Sequence, residues 1–202
     1  LLACVSIVSN AASDISSSVV RIPLMSSWKI GLEGGASFLA GDAISDAAES
    51  RYEDNTRVGY NAGIRFGYGI TTRVVIEGEF LYLQNEGYGY DEGSSFAERI
   101  YMSNLLYGFD VGHSVTFILG MGFGVIDPDA SKDSYYLYQD GGIVKAKPGY
   151  QALVGVSYAL ADHLALTFGY HYIVPIGSET DADKPGYLPK VNLINAGVTY
   201  YF

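Results

Sequence analysis

Long apolar runs are missing from this chain. No stretch of about 18 consecutive apolar residues occurs, so no membrane-spanning helix is written in it. Cysteine is nearly absent: a lone Cys4 excludes an intramolecular disulfide and leaves the redox compartment open. Proline is scarce, six residues in 202, and does not cluster into a linker. One domain is therefore expected. Positive charge is scarce too. Twelve Lys and Arg stand against 22 Asp and Glu, an imbalance that argues against a nucleic-acid surface. The missing apolar run does not exclude a membrane protein. A spanning β-strand needs only about 9–11 residues with alternate ones apolar.

What is present is tyrosine, glycine and a period of two. Between Arg57 and Ile70, Val58, Tyr60, Ala62, Ile64, Phe66 and Tyr68 fall on one face, and Gly59, Asn61, Gly63, Arg65 and Gly67 fall on the other. No helix separates those sets, so the segment reads as a strand. Seven further segments repeat the pattern. They begin near Trp28, Arg73, Tyr101, Val115, Val144, His163 and Ile194. Short turns at Gly69–Thr72, Asp110–His113 and Leu160–Asp162 alternate with long polar loops, roughly 42–56, 85–98, 127–142 and 177–190. Short turns on one rim and long loops on the other are the layout of a bacterial barrel. The expected fold is all-β: a transmembrane antiparallel up-and-down barrel of about eight strands with a polar, packed lumen, over residues 28–202.

Alternation alone leaves open which face points out, since a soluble lipocalin-like barrel is apolar inside. Three features favour the inverse. The four loops hold sixteen of the 22 acidic residues and only four basic ones, so the rest of the polar face is too sparse in charge to solvate a soluble barrel. Aromatics on the apolar face sit near strand ends in two belts. Trp28, Tyr68, Phe109 and Tyr158 lie toward the short-turn rim, and Tyr60, Tyr82, Tyr150 and Tyr172 toward the long-loop rim, as interfacial girdles require. Finally, the polar face is rich in glycine, which suits the crowded interior of a narrow barrel.

Residues 1–27 read apart from the barrel. Leu1–Val8 looks like the tail of a signal-peptide apolar region, with Ser9-Asn10-Ala11 as a cleavage site. Leu1-Leu2-Ala3-Cys4 also resembles a lipobox, which would make Cys4 a lipidated N-terminus. A periplasmic extension is the third reading.

At the other end, Asn195–Phe202 looks like the C-terminal signal of outer-membrane proteins. It ends in Phe202, with Ala196, Val198 and Tyr200 at alternate positions before it. Residues 28–202 as a whole resemble the small OmpA/OmpX-like barrels and the broad outer membrane protein beta-barrel family. The resemblance implies the outer membrane of a Gram-negative bacterium, contact with its lipid and lipopolysaccharide, and biogenesis through the barrel-assembly machinery. It implies no cofactor.

Chemistry is expected mainly in the lumen. Lys29, Glu33, Arg57, Arg65, Arg73, Glu77, Glu79, Asp110, Lys145 and Lys147 fall on the polar face, with both signs nearly balanced. Charges in a narrow interior must pair. The expected network joins Arg57, Arg65, Arg73, Lys145 and Lys147 to Glu33, Glu77 and Glu79. A structural plug and a narrow ion path are its two readings. Lipid A deacylases of this barrel type carry a His and a Ser separated by one residue on a late strand. His113 adjoins Ser114 at a turn, and His163 and His171 are placed on the lumen face, so no such pair is expected and no enzyme is read. Asp127, Asp129 and Asp133 have the spacing of early calcium-loop ligands, but Lys132 stands where the turn glycine belongs and no closing Glu follows. Solvated acidic loops are the plainer reading. Two function classes remain: a surface-interaction protein that meets an extracellular partner through its loops, and a transporter of small solutes or apolar molecules.

Overall fold

The computed structural model describes residues 27–40, 58–86, 95–112, 114–129, 145–177 and 188–202. These form eight strands: β1 Trp28–Ala40, β2 Val58–Gly69, β3 Val74–Glu86, β4 Ser95–Gly112, β5 Val115–Pro128, β6 Lys147–Ala161, β7 Leu164–Pro175 and β8 Lys190–Tyr201. Every neighbouring pair is antiparallel, and β8 closes on β1. The barrel thus has no free edge, and the backbone groups of its strands pair within the protein, as a hydrocarbon environment demands.

The β2–β3 connection shows why the short rim is tight. Ile70 N donates to Val74 O at 2.9 Å, and the Thr71 hydroxyl accepts from the backbone N–H of Arg73 and Val74 at 3.2 and 3.0 Å. A hydroxyl that takes two backbone donors fixes the turn locally. At the β4–β5 turn, Gly112 has φ +96° and Ser114 φ +72°, a geometry that glycine adopts readily and serine rarely.

One of the expected loops, 85–98, is shorter than its sequence suggests. β3 runs to Glu86 and β4 starts at Ser95, so both ends of 85–98 are strand. Glu98, counted above among loop acids, lies on the inner face of β4 and is fully buried. Polar composition hid it, because the acids of this segment continue a strand that has an apolar lining. His163, expected in the lumen, lies instead in the exposed β6–β7 turn, where its Nδ1 stands 3.1 Å from Tyr201 O.

The alternation resolves into an apolar exterior. Trp28, Leu32, Phe66, Leu105, Met121, Phe123 and Phe168 are all exposed. The girdle positions named above face outward as well, and Trp28 stacks on Phe66 with ring centroids 5.0 Å apart. Inside, the filling is tiered. Toward the long-loop rim, Leu39, Leu81, Leu83, Phe96, Ile100, Met102, Ile126, Ile173, Val191 and Leu193 form one apolar cluster. The middle is polar and charged. The expectation of a polar packed lumen therefore describes the middle of the bore, whereas its upper end is packed like a soluble core.

Candidate functional site

The middle tier is built from side chains that reach inward from seven of the eight strands. Arg65 on β2 places Nε 3.1 Å from Glu33 Oε2 on β1. Its Nη2 donates to the Thr167 and Thr199 hydroxyls at 3.0 and 3.4 Å. Lys29 on β1 pairs with Glu77 on β3 at 2.5 Å. Glu79, one inward position further along β3, extends across the bore. Its Oε2 accepts from Asn104 on β4 at 2.8 Å and from Gln151 on β6 at 2.6 Å. Its Oε1 lies 3.4 Å from His171 Nδ1 on β7. Asn195 on β8 donates to Glu33 at 3.1 Å. All of these charged side chains are nearly inaccessible to solvent.

Glycine makes room for this crossing. A Cβ on Gly122 would overlap Asn104 Oδ1, and one on Gly67 would come within 2.7 Å of Lys29 Cε. The bore is correspondingly full. Among the described residues it holds small cavities of about 20 Å³, each with room for roughly one water.

Of the residues expected in the luminal network, Glu33, Arg65, Glu77 and Glu79 come together, joined by Lys29. Arg73 does not. It sits in the exposed β2–β3 connection, 3.4 Å from the Tyr107 hydroxyl, and that contact holds its guanidinium above its ordinary pKa. Lys145 precedes β6 and is exposed. Lys147 lies at the start of β6, and its Nζ donates outside the bore's middle tier, to Gly177 O at 2.7 Å. These three are corrections. Arg73 and Lys145 fall beyond their strands, where alternation no longer assigns a face, and Lys147 stands at the first residue of β6, turned to a backbone carbonyl above the middle tier. Asp110 is exposed near the short rim and accepts from Thr116. Asp129 and Asp127 close on Arg99, at 2.9 and 3.8 Å, which gives these acids a guanidinium partner. Arg57, Asp133 and Cys4 lie outside the described residues, as do residues 1–26.

Sequence reasoning missed two participants. His171 was placed on the lumen face but given no partner. The apolar tier was not foreseen at all. Its signal was available in β3, whose inward series runs Val75, Glu77, Glu79, Leu81, Leu83.

The outward row of β8 holds Ala196, Val198, Tyr200 and Phe202, and Phe202 N donates to Trp28 O at 2.9 Å. Closure and terminal strand agree with the comparison of the whole sequence to known families. The description "outer membrane protein beta-barrel domain" matches over residues 1–202. The chain belongs to that family. Its place is accordingly the bacterial outer membrane. Among curated proteins, none matches this chain.

Solved structures show the same fold for this outer-membrane barrel. Neisserial surface protein A, from Neisseria, is 18% identical with a TM-score of 0.61, over 87% of this chain and 97% of that one. OprG of Pseudomonas aeruginosa is 14% identical with a TM-score of 0.56, over 90% and 99%. The N-terminal barrel domain of Pseudomonas aeruginosa OprF is 11% identical with a TM-score of 0.51, over 88% and 98%.

Proposed function

We propose that this barrel is a non-conducting, non-catalytic outer-membrane protein that presents its long acidic connections to an extracellular partner. The observation that carries the reading is the closed bore. Glu79 is bound from across the lumen by Gln151 and Asn104, and above it the apolar cluster of Leu81, Leu83, Ile100 and Ile173 is fully buried. An ion would have to displace a charged network and then cross a dry layer, both costly. The fold itself does not set the chemistry. What supports the non-catalytic reading is the placement of the described histidines. His171 is enclosed in the bore and His163 lies in a rim turn, so neither forms a His and Ser pair on the lipid face.

In this reading the connections do the work. Their excess of acid favours a partner with a basic surface, for which charge complementarity raises the encounter rate. Ala196, Val198, Tyr200 and Phe202 serve biogenesis, as the outward row that assembly machinery engages, and lipid and lipopolysaccharide contact the apolar exterior. Planar-bilayer recording of the purified barrel tests the central point. The expected result is no stable single-channel current. Large, stable unitary currents would make it a pore.

A further inference from the structure

We propose that the middle of the bore holds a divalent transition-metal ion between Glu33, Glu79 and His171. One carboxylate oxygen from each acid and one imidazole nitrogen lie within 4.8 Å of one another. They come from β1, β3 and β7, so their meeting is a property of the closed barrel and not of one strand's sequence. First-row metal ions bind such donors at about 2.0–2.2 Å, a radius that a group of this spread encloses with small side-chain adjustments.

Two independent observations point to a ligand. The first is an unsatisfied contact. His171 Nδ1 and Glu79 Oε1 face each other at 3.4 Å, yet among the described residues neither atom has a hydrogen-bond partner. Both side chains are at least 98% buried. Buried polar atoms normally find partners, and a cation held between the imidazole nitrogen and the carboxylate oxygen would satisfy both. The second is space. A cavity of about 20 Å³ adjoins Glu33 and His171, enough for one water as a further ligand.

Glu33, Glu77 and Glu79 share the tier with two fixed cations, Lys29 and Arg65. The donor set selects the class of ion. Imidazole suits zinc, iron, nickel and copper, while a site of oxygen alone would suit magnesium or calcium. The bore is closed above by the apolar tier, so the ion enters while the barrel folds. It then ties β1, β3 and β7 together across the lumen.

The test uses the full chain refolded into detergent micelles with a small excess of Zn²⁺, desalted, and assayed for metal by plasma mass spectrometry. The expected result is about one zinc per barrel in the wild type and in His163→Gln, the rim histidine. Removing groups that merely support metal ligands costs about 10–100-fold in affinity, so His171→Gln should lose at least tenfold. Zinc retained by His171→Gln at the wild-type level, or none in the wild type, overturns the proposal. If His171→Gln does not fold, Co²⁺ refolded into the wild-type barrel decides. Visible bands distinct from those of the hydrated ion support the site, and a spectrum identical to the hydrated ion refutes it.

Discussion

In the middle of the bore, Glu77 and Glu79 project from β3 into a web of charge. At the next two inward positions of the same strand, Leu81 and Leu83 are packed wholly in apolar contacts. The two tiers close the same hole by different physics. The polar tier depends on direction: a guanidinium, an amide and an imidazole must each meet a specific oxygen, and an oxygen left alone is expensive. The apolar tier depends on volume, and it tolerates a change of shape as long as the space stays filled. The filling of the bore is layered. A defect in one tier leaves the other to hold the lumen shut.

The largest effect is expected from breaking the polar tier at Arg65. Arg65→Ala strands Glu33 without its ion pair and removes the donor to Thr167 and Thr199. Loss of one partner of a buried pair costs about 3–5 kcal/mol. Urea unfolding of the refolded barrel should show a loss of that size, whereas Asp162→Ala in the exposed β6–β7 turn should stay within about 0.5 kcal/mol. Equal effects at the two positions would mean that the tier is solvated and its pairing unimportant. Conductance of Arg65→Ala should remain near zero, because Leu81, Leu83 and Ile173 still close the bore above the gap.

Leu83→Ala attacks the other tier. The residue is fully buried, so truncation leaves a cavity and should cost about 2–5 kcal/mol, with Leu83→Met recovering most of it. That recovery sharpens the contrast, since the charged tier should not accept an equally conservative change: Arg65→Lys loses the planar fork that reaches Glu33 and Thr167 together. If Arg65→Lys proves as harmless as Leu83→Met, the distinction between directional and volume packing fails.

How much of this was legible beforehand follows the same division. Alternation is a local property, so eight strands, their inward faces and the closing of β8 on β1 could be read from 28–202 alone. Height along the bore is not local. Whether Glu79 lies level with His171 depends on the registers of all the strands between them, from Phe80↔Tyr101 round to Leu153↔His171, and no single segment encodes that. Arg65 and Glu33 meet because their strands are neighbours with Gly31 opposite Arg65. Arg73 and Lys145 were grouped wrongly because a face was extended past the end of its strand. The apolar tier begins at Leu81, two residues past the last charge on the inward face of β3, and charge pattern alone does not mark that change.

Glu98 tests the boundary of the apolar tier in the opposite direction. It is a fully buried carboxyl whose oxygens have no hydrogen-bond partner among the described residues. A buried polar group left unsatisfied costs about 1–3 kcal/mol. Glu98→Met keeps the volume and removes the polar atoms, so it should raise stability by about that amount in the same urea assay. A lower midpoint would show that Glu98 makes an interaction the barrel needs at its upper rim.

Apart from the Asp162→Ala control, the smallest effect on stability is expected outside the bore altogether, at Phe202. Its side chain is 65% exposed and meets Tyr200 edge-on, with centroids 5.2 Å apart. Neither tier of the plug touches it. Its remaining tie is the backbone hydrogen bond from Phe202 N to Trp28 O, at the seam where β8 meets β1. An aromatic pair on an exposed face contributes about 0.5–1.5 kcal/mol, so deleting Phe202 should lower the unfolding midpoint slightly and leave refolding into micelles intact. Insertion in cells should fall much further, because the outward row of Ala196, Val198, Tyr200 and Phe202 is the part of the last strand that a machine outside the barrel can reach. The two measurements must therefore separate: a small shift in urea, a large drop in outer-membrane protein recovered from cells. Normal insertion of the deletion would remove the reason for assigning the terminal aromatic to assembly. A loss of refolding as large as that of Arg65→Ala would instead make the β1–β8 seam, not the filling of the bore, the structural weak point of the barrel.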